Sequence, residues 1–209
     1  MSQLVKTEEA GLSNDFLQSL IDSKHLPSHV KTVQTAFTIA QMGKELGFAP
    51  MQALHQIVPI QGKLSLSAKA IGAVLRKGGV KFRTVEDGVF VYPDKVSIEK
   101  IEGEKAITMR TTIEFTRDGV AELCSFTWRD AELAGLTTKD NWKRMPKEML
   151  YARCLAKGAN RIGQDLLLGL YMTDELADAF NVSESNVVRD EDGYVTEIKD
   201  SNINSQSSI

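Results

Sequence analysis

Over residues 107–116 the side chains change face at every step. Ile107, Met109, Thr111, Ile113 and Phe115 alternate with Thr108, Arg110, Thr112, Glu114 and Thr116. Successive residues of a β-strand point to opposite sides, so this run reads as a strand with one buried and one wet face. Such a strand needs neighbours for its backbone groups. Turn signals at Asp87-Gly88, Glu102-Gly103 and Asp118-Gly119 divide residues 80–127 into this strand and three others. An antiparallel meander is the economical arrangement.

On either side the period becomes helical. Ser13 is placed to cap a first helix to about Lys24, with Asp15 in its first turn. Pro27 favours a new helix start, and Val30, Val33, Phe37 and Ala40 recur at helical spacing until Gly47. A short helix over residues 50–56 leads into Ile57-Val58-Pro59-Ile60, Gln61-Gly62 and Lys63-Leu64-Ser65-Leu66. That is the pattern of a β-hairpin with glycine at the turn and proline on an edge or bulge. Ser67 is placed to cap the next helix, which stops at Gly78-Gly79.

Helix returns after the strands. Thr127 and Asp130 have the spacing of a capping box for a short helix ending at Gly135. A polar connector from Thr137 to Met145 precedes Pro146, a favourable first residue for a long helix to about Ile162. Thr173 is placed to cap a last helix through Phe180. The expected fold is α+β: an antiparallel β-meander and a β-hairpin packed with helices, then an acidic disordered C-terminal tail. Residues 1–26 form a helical extension available for oligomer contacts, 27–182 the core and 183–209 the tail.

Composition narrows the function classes. A chain of 209 residues with 42% apolar content can build a hydrophobic core. It contains no run of about eighteen apolar residues, so no membrane-spanning helix is expected. The opening Met1-Ser2-Gln3-Leu4-Val5-Lys6 lacks the basic start and apolar stretch of a secretory signal, so a cytoplasmic location is expected. Cys124 and Cys154 have neither CxxC nor metal-type spacing, and are expected to be reduced and buried.

The formal net charge of −3 divides unevenly. In the tail, Glu184, Asp190, Glu191, Asp192, Glu197 and Asp200 outweigh Arg189 and Lys199, giving −4 and leaving +1 for the rest. From Lys139 to Arg161, seven bases oppose only Asp140 and Glu148, giving +5. A cationic segment and an acidic tail in one chain point to a nucleic-acid surface.

Within that segment, Arg153, Lys157 and Arg161 stand at i, i+4 and i+8, on one side of the helix from Pro146. Tyr151, Leu155 and Ile162 lie roughly opposite, with Ala152, Gly158 and Ala159 near them. The expectation is a helix set close to the sheet by small residues, with three cations pointing away. No acid follows Glu148 until Asp165, so these cations lack local partners. The connector adds Lys139, Asn141, Trp142, Lys143, Arg144 and Lys147. Trp142 fits two roles, a platform for an exposed nucleobase or an anchor holding the connector on the core. Lys63 at the hairpin turn and Lys69 on the next helix are candidates to extend the basic surface.

Catalytic patterns are sparse. His25, His29 and His55 form no HExxH, and no GxxxxGK[ST] occurs. Asp165, Asp174 and Glu175 could suggest a metal site, although helix-start roles explain Asp174 and Glu175 more simply. No cofactor and no enzymatic activity are expected.

Two motifs resemble a known family. Gly47-Phe48-Ala49-Pro50-Met51-Gln52-Ala53-Leu54, Ile57-Val58-Pro59-Ile60-Gln61-Gly62-Lys63 and Leu66-Ser67-Ala68-Lys69 resemble the opening motif of RecT-like single-strand annealing proteins. Asn141-Trp142-Lys143, Pro146, Met149-Leu150, Ala152-Arg153 and Leu167-Leu168-Gly169-Leu170-Tyr171 resemble their second motif. The resemblance covers roughly residues 30–180. It implies a mixed helix–sheet core, ring or filament oligomers on DNA, and strand annealing in phage-type recombination. A partner exonuclease that makes single strands is also implied, as is contact with a host single-strand binding protein. At matching positions it implies DNA-facing roles for Lys63, Lys69, Lys143, Arg153 and Arg161. Two features depart from the family: Gly163-Gln164 stands where many relatives have an aromatic residue and proline, and the chain is shorter than many relatives. The competing readings are a passive single-strand coating protein and a nuclease using the carboxylates near Asp165.

Overall fold

Four of the described helices begin where a hydroxyl takes up an orphan backbone N–H. Ser13 Oγ accepts from Phe16 N at 3.2 Å, Thr32 Oγ1 from Thr35 N at 3.1 Å and Ser67 Oγ from Ala70 N at 3.1 Å. At Thr127 the capping box is complete, since Asp130 N donates to Thr127 Oγ1 and Thr127 N donates to Asp130 Oδ2. The computed structural model describes residues 13–91, 108–180, 182, 184–189, 191 and 195–198. It is an α+β structure whose strands pair antiparallel except at one short parallel pair. In place of one core over 27–182, the chain divides into two compact units. Met1–Ala70, Leu170–Asp190 and Val195–Ile209 form the first, and Ile71–Gly169 with Glu191–Tyr194 the second.

The first unit contains α1 (Asn14–Asp22), α2 (Val33–Glu45) and α3 (Pro50–Gln56). Leu17 of α1 is fully buried, so this helix belongs to the unit's core and is not a detached extension. Helix α2 starts at the Thr32 cap, six residues or about one and a half turns past the position that Pro27 suggests. Pro27 instead opens a tight turn closed by Val30 N donating to Pro27 O at 2.9 Å. Gly43 lies where any Cβ would meet Ala53, which lets α2 and α3 approach closely.

The expected hairpin is present as β1 (Ile57–Ile60) and β2 (Lys63–Leu66). Gln61 and Gly62 both have positive φ, +47° and +78°, as the tight two-residue turn between twisted strands requires. Pro59 lies on the edge strand, where a missing donor costs no ladder bond. One addition was not expected: β6 (Tyr171–Met172) pairs in parallel with β2. Helix α8 (Thr173–Ala179) follows at once, and Thr173 is its first residue, not its cap. The Thr173 hydroxyl is buried and accepts from Ser65 Oγ at 3.1 Å, so it is committed to β2.

The acidic tail is also structured in part. Past a short 3-10 turn, Glu184–Asn186, the strands β7 (Val187–Arg189) and β8 (Val195–Ile198) pair antiparallel. The expectation of disorder from residue 183 is corrected over this stretch; residues 199–209 lie outside those described. Val195 is fully buried, and Ile198, Phe180 and Val182 pack on Val58, Ile60, Leu176 and Ala177. Arg189 Nη1 binds Asp174 Oδ1 at 2.7 Å, and Val195 N donates to Asp174 Oδ2 at 3.3 Å. Few apolar residues suffice when an ion pair and a strand ladder join them.

The second unit is built on a sheet in the order β3-β4-β5, comprising β3 (Lys81–Val91), β4 (Thr108–Arg117) and β5 (Val120–Thr127). The alternation in β4 is obeyed from Ile113 on, where Ile113 and Phe115 are fully buried and Glu114 and Thr116 half-buried, but Thr112 breaks it by being buried beside Thr111 and Ile113. Asp118-Gly119 is the β4–β5 turn, with both φ positive. Asp87-Gly88, expected as a turn, is instead a bulge inside β3, where the register to β4 slips twice between Thr84 and Val89. Gly88 has φ +58° and donates its N–H to Thr111 Oγ1 at 3.1 Å. Three strands therefore replace the four expected among the described residues; Glu102-Gly103 and Ile107 lie outside them.

Helix α4 (Ala68–Lys77) begins in the first unit and continues in the second, where Ile71, Val74 and Leu75 are buried. Helices α5 (Trp128–Leu133), α6 (Asp140–Arg144) and α7 (Pro146–Ile162) follow the sheet. What reads as a polar connector is thus largely the helix α6. Gly158 of α7 faces the ring of Phe115 so closely that a Cβ would collide with it. Leu155 is buried as expected, whereas Tyr151 and Ile162 are only half-buried. No described helix is long and apolar enough to cross a membrane.

Candidate nucleic-acid interface

A cation can meet a phosphate only if it is exposed and not already held by a carboxylate. The ten residues singled out in the sequence separate sharply on that test. Lys63 and Lys69 belong to the first unit, and the others to the second. Lys63 is exposed at the start of β2, with Nζ 5.5 Å from the Phe180 ring centroid. Lys69 is exposed in the first turn of α4.

In the second unit, two candidates lie in the core. Trp142 is 1% exposed, packed against Phe126 at 6.4 Å and edge-on to Trp128 at 6.0 Å. It anchors α6, and the stacking role is excluded by its burial. Asn141 is buried too, with Nδ2 donating to Met149 Sδ at 3.0 Å. Neither side chain is available to DNA in this structure.

The Arg153, Lys157 and Arg161 row is only partly as expected. Arg153 is half-buried. Lys157 is half-buried and donates Nζ to the Ser125 carbonyl at 2.9 Å. Arg161 is exposed but paired with Glu122 of β5 at 2.8 Å, and that hydrogen bond raises the Arg161 pKa. The row therefore leans on strand β5, where Lys157 and Arg161 find their partners. The partners come from another strand, which local spacing cannot reveal.

Exposed cations remain at the junction of α6 and α7. Lys143, Arg144 and Lys147 are exposed, and none forms an ion pair with a described residue. Lys139 precedes them at the N-cap of α6 and is half-buried. The stem of Lys147 lies over Gly88 of β3, where any Cβ would strike it. Sequence reasoning missed Arg76, whose guanidinium lies 4.6 Å from the Phe82 ring centroid. Its signal was the Arg76-Lys77 pair at the end of α4, close to the aromatic strand residue Phe82.

The carboxylates considered for catalysis have structural partners. Both Asp165 oxygens are held by Arg117, at 2.5 and 2.7 Å, which lowers the Asp165 pKa. Asp174 is held by Arg189. Among the described residues no group of three or more His, Cys, Asp or Glu side chains is arranged to hold a metal. Cys124 and Cys154 are buried and unbridged, and burial pushes the Cys154 thiol up to about 11 and raises that of Cys124. Protonated thiols are poor nucleophiles at neutral pH. Comparison with protein-family models, curated proteins and solved structures finds no match to this chain.

Proposed function

We propose that this chain binds single-stranded DNA and, oligomerised on it as a ring or filament, anneals complementary strands without nucleotide hydrolysis. In this reading it acts in the cytoplasm as a RecT-like protein, beside an exonuclease that supplies single strands. The observation that carries the reading is the α6–α7 junction. Lys143, Arg144 and Lys147 are exposed there without acidic partners among the described residues, and buried Trp142 fixes the helix that presents two of them.

The chemistry needed is modest. Complementary strands repel each other, and random encounters rarely place bases in register. Cations that hold one backbone reduce the repulsion and leave the base edges open to a second strand. Oligomerisation adds many weak contacts along one lattice, and base pairing supplies the specificity.

Labelled complementary oligonucleotides mixed with the protein in EDTA, without nucleotide, test the reading. The expected result is annealing faster than in the protein-free mixture. Complements held apart until the protein is digested would instead identify a passive coating protein. DNA cleavage on adding magnesium would identify a nuclease.

A further inference from the structure

A single strand differs from a duplex in offering base faces as well as phosphates, so its binders combine cations with aromatic surfaces. Trp142 cannot supply that surface, being in the core. On the flank of β3 that faces α7, other groups can. Phe82 is half-buried, backed by the fully buried Phe115 with ring centroids 5.8 Å apart and planes tilted, and Arg76 lies over the Phe82 ring. A guanidinium held on a ring keeps its N–H edge and outer face for a phosphate or a base. Lys147 lies against Gly88 in the β3 bulge. Tyr151 stands one turn after Lys147 on α7, is half-buried, and feels the charges of both Arg76 and Asp87. Lys147 at Gly88 and Arg76 at Phe82 thus mark two points along β3, and Tyr151 follows Lys147 by one turn of α7.

We infer that this flank of β3 is a track for single-stranded nucleic acid, with Arg76 and Lys147 on phosphates and Tyr151 as the base platform. The inference deepens the proposed function and rests on it. Asp87 is the discordant group. It is exposed next to Gly88, where the Lys147 stem lies, and repels a phosphate passing there, which gives the track a signature of opposite sign.

Fluorescence anisotropy with labelled oligodeoxythymidylate, titrated at several salt concentrations, reads that signature. Arg76→Ala and Lys147→Ala should each weaken binding and flatten the slope of log K against log salt by about 0.7. Asp87→Asn should tighten binding, by roughly two- to fivefold for one exposed charge. Tyr151→Leu should weaken binding roughly fivefold or more with the slope unchanged, while Tyr151→Phe keeps the ring and the affinity. Lys81→Ala is the control, because Lys81 is exposed and adjacent to Phe82 in β3, hence on the other face of the sheet. It should leave affinity within twofold of wild type (about 0.4 kcal/mol). If Arg76→Ala fails to fold, Arg76→Lys and Asp87→Asn carry the test. Wild-type affinity in folded Arg76, Lys147 and Asp87 variants would overturn the track alone. Absence of binding by the wild-type protein would overturn the proposed function and the track together.

Discussion

Arg117 of β4 grips the Asp165 carboxylate with both terminal nitrogens, and its Nη1 also donates to the Ile162 carbonyl at 3.0 Å. One guanidinium thus closes the C-terminal end of α7, where carbonyls lack intrahelical donors and a cation is favourable. The arrangement gives Asp165 a structural task. It also has a pH signature. The Asp165 pKa is lowered by its hydrogen bonds to Arg117, so the stabilisation is present above its ordinary carboxylate range and is lost as pH falls through the folded-state value. Asp165→Asn should therefore lower the melting temperature at neutral pH and approach wild type in acid. A constant difference across the range would assign the stabilisation to something other than charge.

His29 carries a second pH dependence, in the first unit. It is 9% exposed, and neither ring nitrogen makes a hydrogen bond of good geometry. Burial lowers its pKa, while Glu197 and, more weakly, the Ile57 backbone favour the proton and His55 opposes it. The unfolded chain therefore takes up the proton first as pH falls below about 6.5. Stability should decline from there to the folded-state pKa and then level off. His29→Gln should remove that segment of the profile in thermal melts between neutral and mildly acidic pH. An unchanged profile would place the acid sensitivity elsewhere.

The C-terminal hairpin makes truncation costly. Removing residues 183–209 would expose the apolar groups under β8 and leave the Asp174 carboxylate, 5% exposed, without Arg189. Removing one partner of a buried ion pair typically costs about 3–5 kcal/mol. Arg189 is partly accessible, so Arg189→Ala is expected near the lower end, roughly 3 kcal/mol by urea denaturation. The truncation should destabilise at least as much. A truncated chain with wild-type stability would show that the hairpin's contacts are marginal.

Local rules located most of the elements in this chain, because each depends on a few neighbouring residues. The capping box at Thr127, Pro146 at the start of α7 and the Gln61-Gly62 turn are of that kind. Asp87-Gly88 misled because glycine at positive φ serves a turn and a bulge equally, and only the register to β4 separates them. Thr173 looked like a cap until Ser65 was brought to its hydroxyl.

The candidate site was less legible for the same reason. Trp142 among cations reads as a stacking platform, and only the arrival of Phe126 and Trp128 puts it in the core. Arg161 looked unpartnered because Glu122, its partner, is 39 residues away. The cations Lys143, Arg144 and Lys147 were visible from composition, since among the described residues they stay exposed.

That contrast makes the last prediction. If the proposed function holds, phosphate contacts should come chiefly from cations that are not already held by the protein. Lys143→Ala and Arg144→Ala should each reduce affinity for single-stranded DNA of any sequence and flatten the salt slope by about 0.7. Their melting temperatures should barely move, because exposed unpaired charges contribute little to folding. Arg161→Ala frees Glu122 and places a carboxylate on the surface, so any loss of affinity there has an indirect source. The double variant Arg161→Ala/Glu122→Gln separates the two cases. With both charges removed, affinity and slope should return to wild type if Arg161 only neutralises Glu122. A double variant as weak as Arg161→Ala alone would put Arg161 on the DNA after all, and the row along α7 would regain its place in the interface.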